Sequence, residues 1–252
     1  MEEERTPRIQ AVSRRGFLAS AGKIAVAATA GAAGLSLIAA KGTEAADVPA
    51  WPWPYKKLDP DTVYWKANGL YASVGCSQAA FEAIITTLGA PYTSVPVAIM
   101  RFGEGGVVGW GSHCGALLGS SAAIALAHKD PAIASKLITQ MTGWYSEFIG
   151  SGSVLCHVSV TEWSKANNVT VESQARKDRC ARVAGETAKK AILLLNEQAD
   201  NALQITFGPR EAVVACQSCH GSKGMSNVRA GVLQDCTMCH TDNPHSGATA
   251  TQ

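Results

Sequence analysis

The sequence predicts a mainly α-helical chain, on three observations. Between residues 75 and 200 apolar side chains recur at helical spacing. Asp130-Pro131 joins an N-cap residue to a proline at the first helical position. Strand signals are short and few, Val95–Ile99 and Ala212–Ala215 being the clearest. The 252 residues are 17% charged and 46% hydrophobic with 24 glycines, an ordinary globular composition. Residues 1–45 hold six Lys/Arg and four Asp/Glu, which leaves sixteen of each in the rest of the chain. No general basic field is therefore present to hold nucleic acid or anionic lipid.

The elements follow in order. Ser13-Arg14-Arg15-Gly16-Phe17-Leu18, then a weakly apolar run from Ile24 to Ala40, resembles a twin-arginine export signal. That run is mostly Ala and Gly and falls short of the roughly 20 strongly apolar residues of a membrane span. Residues 1–45 are accordingly predicted to be cleaved, with Ala45 as the best site, leaving no stable membrane anchor and a periplasmic product exported already folded. Residues 46–69, with Trp51-Pro52-Trp53-Pro54-Tyr55, are predicted to be an extended arm stiffened by proline. Residues 70–205 form the helical, cysteine-containing domain. Its helices are an amphipathic stretch at Ser77–Leu88, an Ala/Leu/Ile-rich one at Cys114–His128, a third from Pro131 to about Phe148, and the longest from Thr170 to about Asn196. The last carries the stripe Cys180, Val183, Ala184, Thr187, Ala191, Leu194 and Leu195. Lys189-Lys190 and Arg176–Arg182 read as solvated faces of that helix. No P-loop, dinucleotide fingerprint or nucleophile elbow is present.

Eight cysteines divide into two sets. In residues 206–252, a short and irregular C-terminal segment, Cys216-Gln217-Ser218-Cys219-His220 and Cys236-Thr237-Met238-Cys239-His240 are both C-x-x-C-H. This spacing lets two thiolates reach the vinyl groups of one porphyrin while the adjacent imidazole reaches its iron. One such pattern arises by chance with a probability of about 0.006 in a chain of this composition, and two with roughly 2 in 100,000. A four-cysteine zinc ribbon would use the same cysteines but leave both histidines unexplained. The motifs predict two c-type haems, attached through Cys216, Cys219, Cys236 and Cys239 and ligated by His220 and His240. Few residues separate the motifs, so the haems are expected to be near neighbours. Methionines are scarce, and the remaining histidines are His113, His128, His157 and His245, which favours bis-histidine ligation. His128, ending a predicted helix, and His245, in the tail, are the chosen distal ligands.

The second set, Cys76, Cys114, Cys156 and Cys180, is dispersed. Cys76 and Cys114 each open a predicted helix, where free N–H groups and the positive dipole end stabilise thiolates and anionic clusters. Gly75 precedes Cys76 and a glycine-rich run precedes Cys114, and glycines let backbone approach closely. Spacing alone leaves the role of these four open: two disulfides, a structural zinc and a cluster all remain, and neither ferredoxin spacing fits.

Gly75-Cys76-Ser77-Gln78-Ala79-Ala80, the run ending Cys114-Gly115-Ala116-Leu117-Leu118-Gly119, Cys156 with Glu162, and Cys180 together resemble the redox-active family with the pattern C_GCAxxG_C_C. His113 stands where that pattern puts its first glycine, and the resemblance covers roughly residues 70–196. With two haem motifs appended behind an export signal, the whole chain resembles the split-Soret cytochromes c. The resemblance implies a homodimer with two closely stacked c-type haems per chain and an iron–sulfur centre of [2Fe–2S] type held by Cys76, Cys114, Cys156 and Cys180. It implies a helical iron–sulfur-type domain followed by an irregular dihaem segment, acting as an electron carrier with no catalytic residues. Other classes compatible with the residues are a haem-dependent reductase of a small nitrogen or sulfur oxyanion, which needs an open sixth site, and a disulfide-based redox sensor. Four haem propionates would make the loaded protein acidic, although the sequence pI is about 8.1.

Overall fold

The computed structural model describes residues 48–208 together with Val214 and His220. The predicted signal peptide, Cys216, Cys219, Cys236, Cys239, His240 and His245 lie outside the described residues. Helices make up the fold: α1 (Pro60–Leu88), α2 (Gly115–Ala127), α3 (Pro131–Phe148), α4 (Cys156–Ala166) and α5 (Gln174–Ala199), with 3₁₀ turns at Tyr92–Ser94 and Val97–Gly103 between α1 and α2. The predicted mainly α class holds. Among the described residues no strand forms, and an isolated antiparallel bridge joins His113 to Leu155.

Local chemistry sets most boundaries. Asp59 caps α1 by accepting from the Thr62 N–H at 2.8 Å, with Pro60 in the first turn. The extended arm therefore ends at Asp59 and not at residue 69. Asp130 caps α3 through the Ala132 N–H at 2.8 Å, and that helix runs Pro131–Phe148 as its signals predict. Ser173, whose Oγ accepts from the Arg176 N–H at 3.2 Å, starts α5 a few residues later than Thr170. The α5 stripe is buried from Val183 to Leu195, while Cys180 is half-buried. Val95–Ile99 is not a strand. Pro96 caps a 3₁₀ turn there, the Ile99 N–H donates to the Pro96 carbonyl at 3.1 Å, and no described segment lies alongside to pair with it. Of Ala212–Ala215, Val214 is described and is helical.

Gly75 divides α1. Its φ of +76° and ψ of +171° are closed to most L-residues, and a Cβ there would meet the Glu104 carboxyl carbon at 2.7 Å. Cys76 thus opens the second half of α1, which with α2, α3 and α5 encloses the core of Ile84, Ile85, Leu117, Ile124, Leu137, Met141, Ile192 and Leu195. The arm is strapped to its own chain. The Trp51 indole donates to the Leu126 carbonyl, Trp53 packs edge-on against Tyr92 at 5.2 Å, and the Tyr55 hydroxyl donates to Asn196 Oδ1 at 2.8 Å.

Candidate metal centre

Cys76 follows the Gly75 break, Cys114 is the N-cap of α2, Cys156 is the first residue of α4, and Cys180 lies in the second turn of α5. Backbone pairing brings two of these elements together. The Cys114 N–H donates to the Val154 carbonyl at 2.9 Å, and the Cys156 N–H to the Ser112 carbonyl at 2.6 Å. Cys76, Cys156 and Cys180 line one cavity of about 710 Å³ with Tyr71, Glu104 and Arg176. Cys114 is buried, 7% exposed. All four are free thiols, so the two-disulfide alternative that spacing left open does not form in the structure. Among the described residues no three His, Cys, Asp or Glu side chains draw tightly enough together to hold a single metal ion. A tetrahedral zinc with sulfur at about 2.3 Å needs thiols about 3.8 Å apart. The thiols form an open group around a cavity, not a closed tetrahedral cage.

Burial pushes the Cys76 thiol up to about 12, helped most by the nearby Cys114 thiol and opposed by an N–H···S bond from Gly105. Cys156 is likewise pushed up to about 12 by burial and by Cys114 and Cys180, with the positive charges of Arg179 and Arg176 opposing. Burial also raises Cys114, against hydrogen bonds from the Tyr145 hydroxyl and from the N–H groups of Leu117 and Ala116. Arg176 hydrogen-bonds Cys180 and holds Tyr71 and the Val171 carbonyl. Gly115 lets these elements close: a Cβ there would meet Cys76 Sγ at 2.6 Å as well as the Gly103 carbonyl. Over the cavity, Gly105 to Gly109 turn left-handed in succession, with Val107 and Val108 at φ of 65° and 45°. Two β-branched residues in this region are strained, which the hydrogen bonds from Gly111 to Gly105 and from Ser112 to Gly106 support.

Other expected residues stand elsewhere. His157 is exposed and its Nδ1 hydrogen-bonds the Gly111 carbonyl at 2.8 Å; His113 is half-buried, and burial lowers its pKa. Glu162 pairs with Lys165 at 3.0 Å and does not line the thiol cavity. His128 is the C-cap of α2, its Nδ1 held by the backbone of Asp130. The length of α2 puts it about 20 Å from Cys114. His220 is helical and half-buried. Arg176 and Arg179 correct the expectation of a solvated face: Arg176 is half-buried at the cavity and Arg179 is 6% exposed. Helical spacing contained that signal, because both lie within one turn of Cys180 on the side continued by Val183.

A helical chain in which three free thiols line one cavity and a fourth lies buried beside them, with arginines and backbone donors aimed at sulfur, has the donor set of a redox protein. The C_GCAxxG_C_C redox-active family matches residues 74–193. Split-Soret cytochrome c of Desulfovibrio desulfuricans (strain ATCC 27774 / DSM 6949 / MB) is 30% identical over 236 residues, covering 81% of either chain. A solved structure, described as a novel iron centre in the split-Soret cytochrome c from D. desulfuricans ATCC 27774, superposes with a TM-score of 0.67 at 30% identity. It covers 79% of this chain and 92% of that one. The chain belongs to the split-Soret cytochrome c family, and is an electron-transfer protein of the cytochrome class that uses haem and iron.

Proposed function

We propose that the chain is a periplasmic electron carrier with two c-type haems and an additional [2Fe–2S] cluster. The observation that carries the cluster is the meeting of Cys76, Cys156 and Cys180 at one cavity, with buried Cys114 close enough to act on Cys76 and Cys156, all four as free thiols from separate elements. The donors suit such a group: soft thiolates, N–H···S donation from Gly105, and two arginines that offset negative charge. An open arrangement is also wider than a single-ion cage. When bound, the cluster would supply a one-electron couple. Cys76, Cys156 and Cys180 would hold it at the cavity wall and Cys114 from behind. Tyr145, Leu117 and Ala116 orient Cys114, and Gly105, Val108 and Gly109 form part of the cavity lining. Haem attachment is assigned to Cys216, Cys219, Cys236 and Cys239, with His220 and His240 as proximal ligands and His128 and His245 as distal ones. Twin-arginine export, cleavage after residue 45, a homodimer and periplasmic redox partners complete the reading.

The test is absorption and EPR spectroscopy of the anaerobically purified full chain, with iron and acid-labile sulfide counted. Two haems with two further irons and two labile sulfides per chain support the reading. Two haems without labile sulfide remove the cluster and leave a dihaem cytochrome.

A further inference from the structure

Arg179 carries a charge that no carboxylate among the described residues balances. It is 6% exposed, and no carboxylate pairs with it: the ion pairs among the described residues are Lys57–Asp200, Lys165–Glu162 and Lys189–Asp61. Its Nη2 donates to two neutral acceptors, the Ile149 carbonyl at 2.9 Å and Ser159 Oγ at 2.6 Å. A guanidinium carries a fixed positive charge, so burying it is costly unless negative charge stands nearby. The nearest source of such charge is the thiol site. Arg179 precedes Cys180 in α5, and its field acts on Cys156. A hydrogen-bonded chain also leads to Cys114, since the Tyr145 hydroxyl meets Ser159 Oγ at 3.2 Å and Cys114 on its other side. Burial and the Cys114 thiol push the Tyr145 hydroxyl far up, so it keeps its proton as a donor. Arg176 and Arg101 are also near, but they line the open cavity together with Glu104 and Glu172, where solvent and these carboxylates offset them. No described carboxylate gives Arg179 such compensation.

We propose that Arg179 is the buried counter-charge of the thiolate-held centre, a positioning residue that keeps the reduced centre favourable from behind its Cys114 and Cys156 wall. The inference rests on the reading of the four cysteines as cluster ligands. Without the centre, Arg179 is a stranded cation; with it, the cation faces net negative charge. One-electron reduction adds a further negative charge, so the reduced form gains more from Arg179 than the oxidised form. Removing the charge then lowers the reduction potential, whereas a purely structural role would leave it in place.

The experiment is an EPR-monitored redox titration of the full chain carrying Arg179→Gln, Arg179→Met, Arg179→Lys or Ser159→Ala. The two neutral variants, of which the Gln form keeps a donor for Ile149 and Ser159, should raise the oxidised-to-reduced ratio of the cluster at least tenfold at a fixed poise, about 59 mV for a one-electron couple. Arg179→Lys and Ser159→Ala, which keep a positive charge, should stay within about threefold of the unaltered protein. A wild-type potential in either folded neutral variant overturns the proposal, as does an equal shift in Ser159→Ala. Absence of labile sulfide from the unaltered chain instead overturns the parent reading of the cysteines.

Discussion

Gly115 and Gly69 are both helical glycines, and the structure assigns opposite signs to the same substitution at the two positions. At Gly115 an added methyl meets Cys76 Sγ at 2.6 Å, the Gly103 carbonyl carbon at 3.0 Å and its oxygen more closely still. The sulfur lies about 1 Å inside ordinary van der Waals contact. The obstacle on the other side is backbone, so relief requires α2 to move away from the 3₁₀ turn or Cys76 to leave its position. Overpacking of this kind costs about 1–3 kcal/mol. At Gly69, on the exposed side of α1, nothing lies within 4 Å of the added carbon. There alanine removes backbone entropy from the unfolded chain and gains about 0.5–1 kcal/mol. With roughly 2–4 °C per kcal/mol for a chain of this size, Gly115→Ala should lower Tm by about 2–12 °C and Gly69→Ala should raise it by about 1–4 °C. Calorimetry on both variants, with iron and labile sulfide counted on the same samples, gives the comparison. Gly115→Ala should also lose non-haem iron because its methyl displaces a thiol. Unchanged Tm and iron in Gly115→Ala would refute the close approach of α2 to Cys76.

Four further outcomes follow from other parts of the structure. Because burial and neighbouring thiols push Cys76 and Cys156 up to about 12, both bind protons more tightly folded than unfolded, where a thiol titrates near 8.5. Stability of the metal-free chain is then fully present below about pH 8.5 and is lost as pH rises from there toward 12, which urea midpoints measured across that window should record. In the same folded chain at pH 8, Cys76 and Cys156 should alkylate with iodoacetamide about a thousandfold more slowly than after denaturation, as peptide mass spectrometry would show. Asp130→Ala, which strips the Ala132 and Ile133 N–H groups of their acceptor, should cost about 1 kcal/mol in chemical denaturation. Asn196→Ala removes the acceptor of the Tyr55 hydroxyl and of the Leu58 N–H and the donor to the Leu58 carbonyl, so limited proteolysis should cut before Pro60 earlier than in the unaltered chain.

Sequence alone was enough wherever the determining interaction spans a few residues. Asp130-Pro131 located the start of α3 because capping is a contact between residues 130, 132 and 133. The α5 stripe from Val183 to Leu195 was legible because helical period and apolar burial coincide there. Val95–Ile99 misled because β-branched composition signals a strand only when a neighbouring strand exists to pair with it. Tertiary packing decided the rest. Cys76 and Cys180 lie more than a hundred residues apart, and their meeting depends on how α1 and α5 bury their apolar faces, a non-directional force that spacing does not encode. The same packing turned Arg176 and Arg179 inward with Cys180, bound the Trp51–Tyr55 arm to its own chain, and set Cys114 behind the cavity that the other three thiols line. Local order was written residue by residue, whereas the group of thiols and the buried Arg179 beside it exist only once the helices have closed around them.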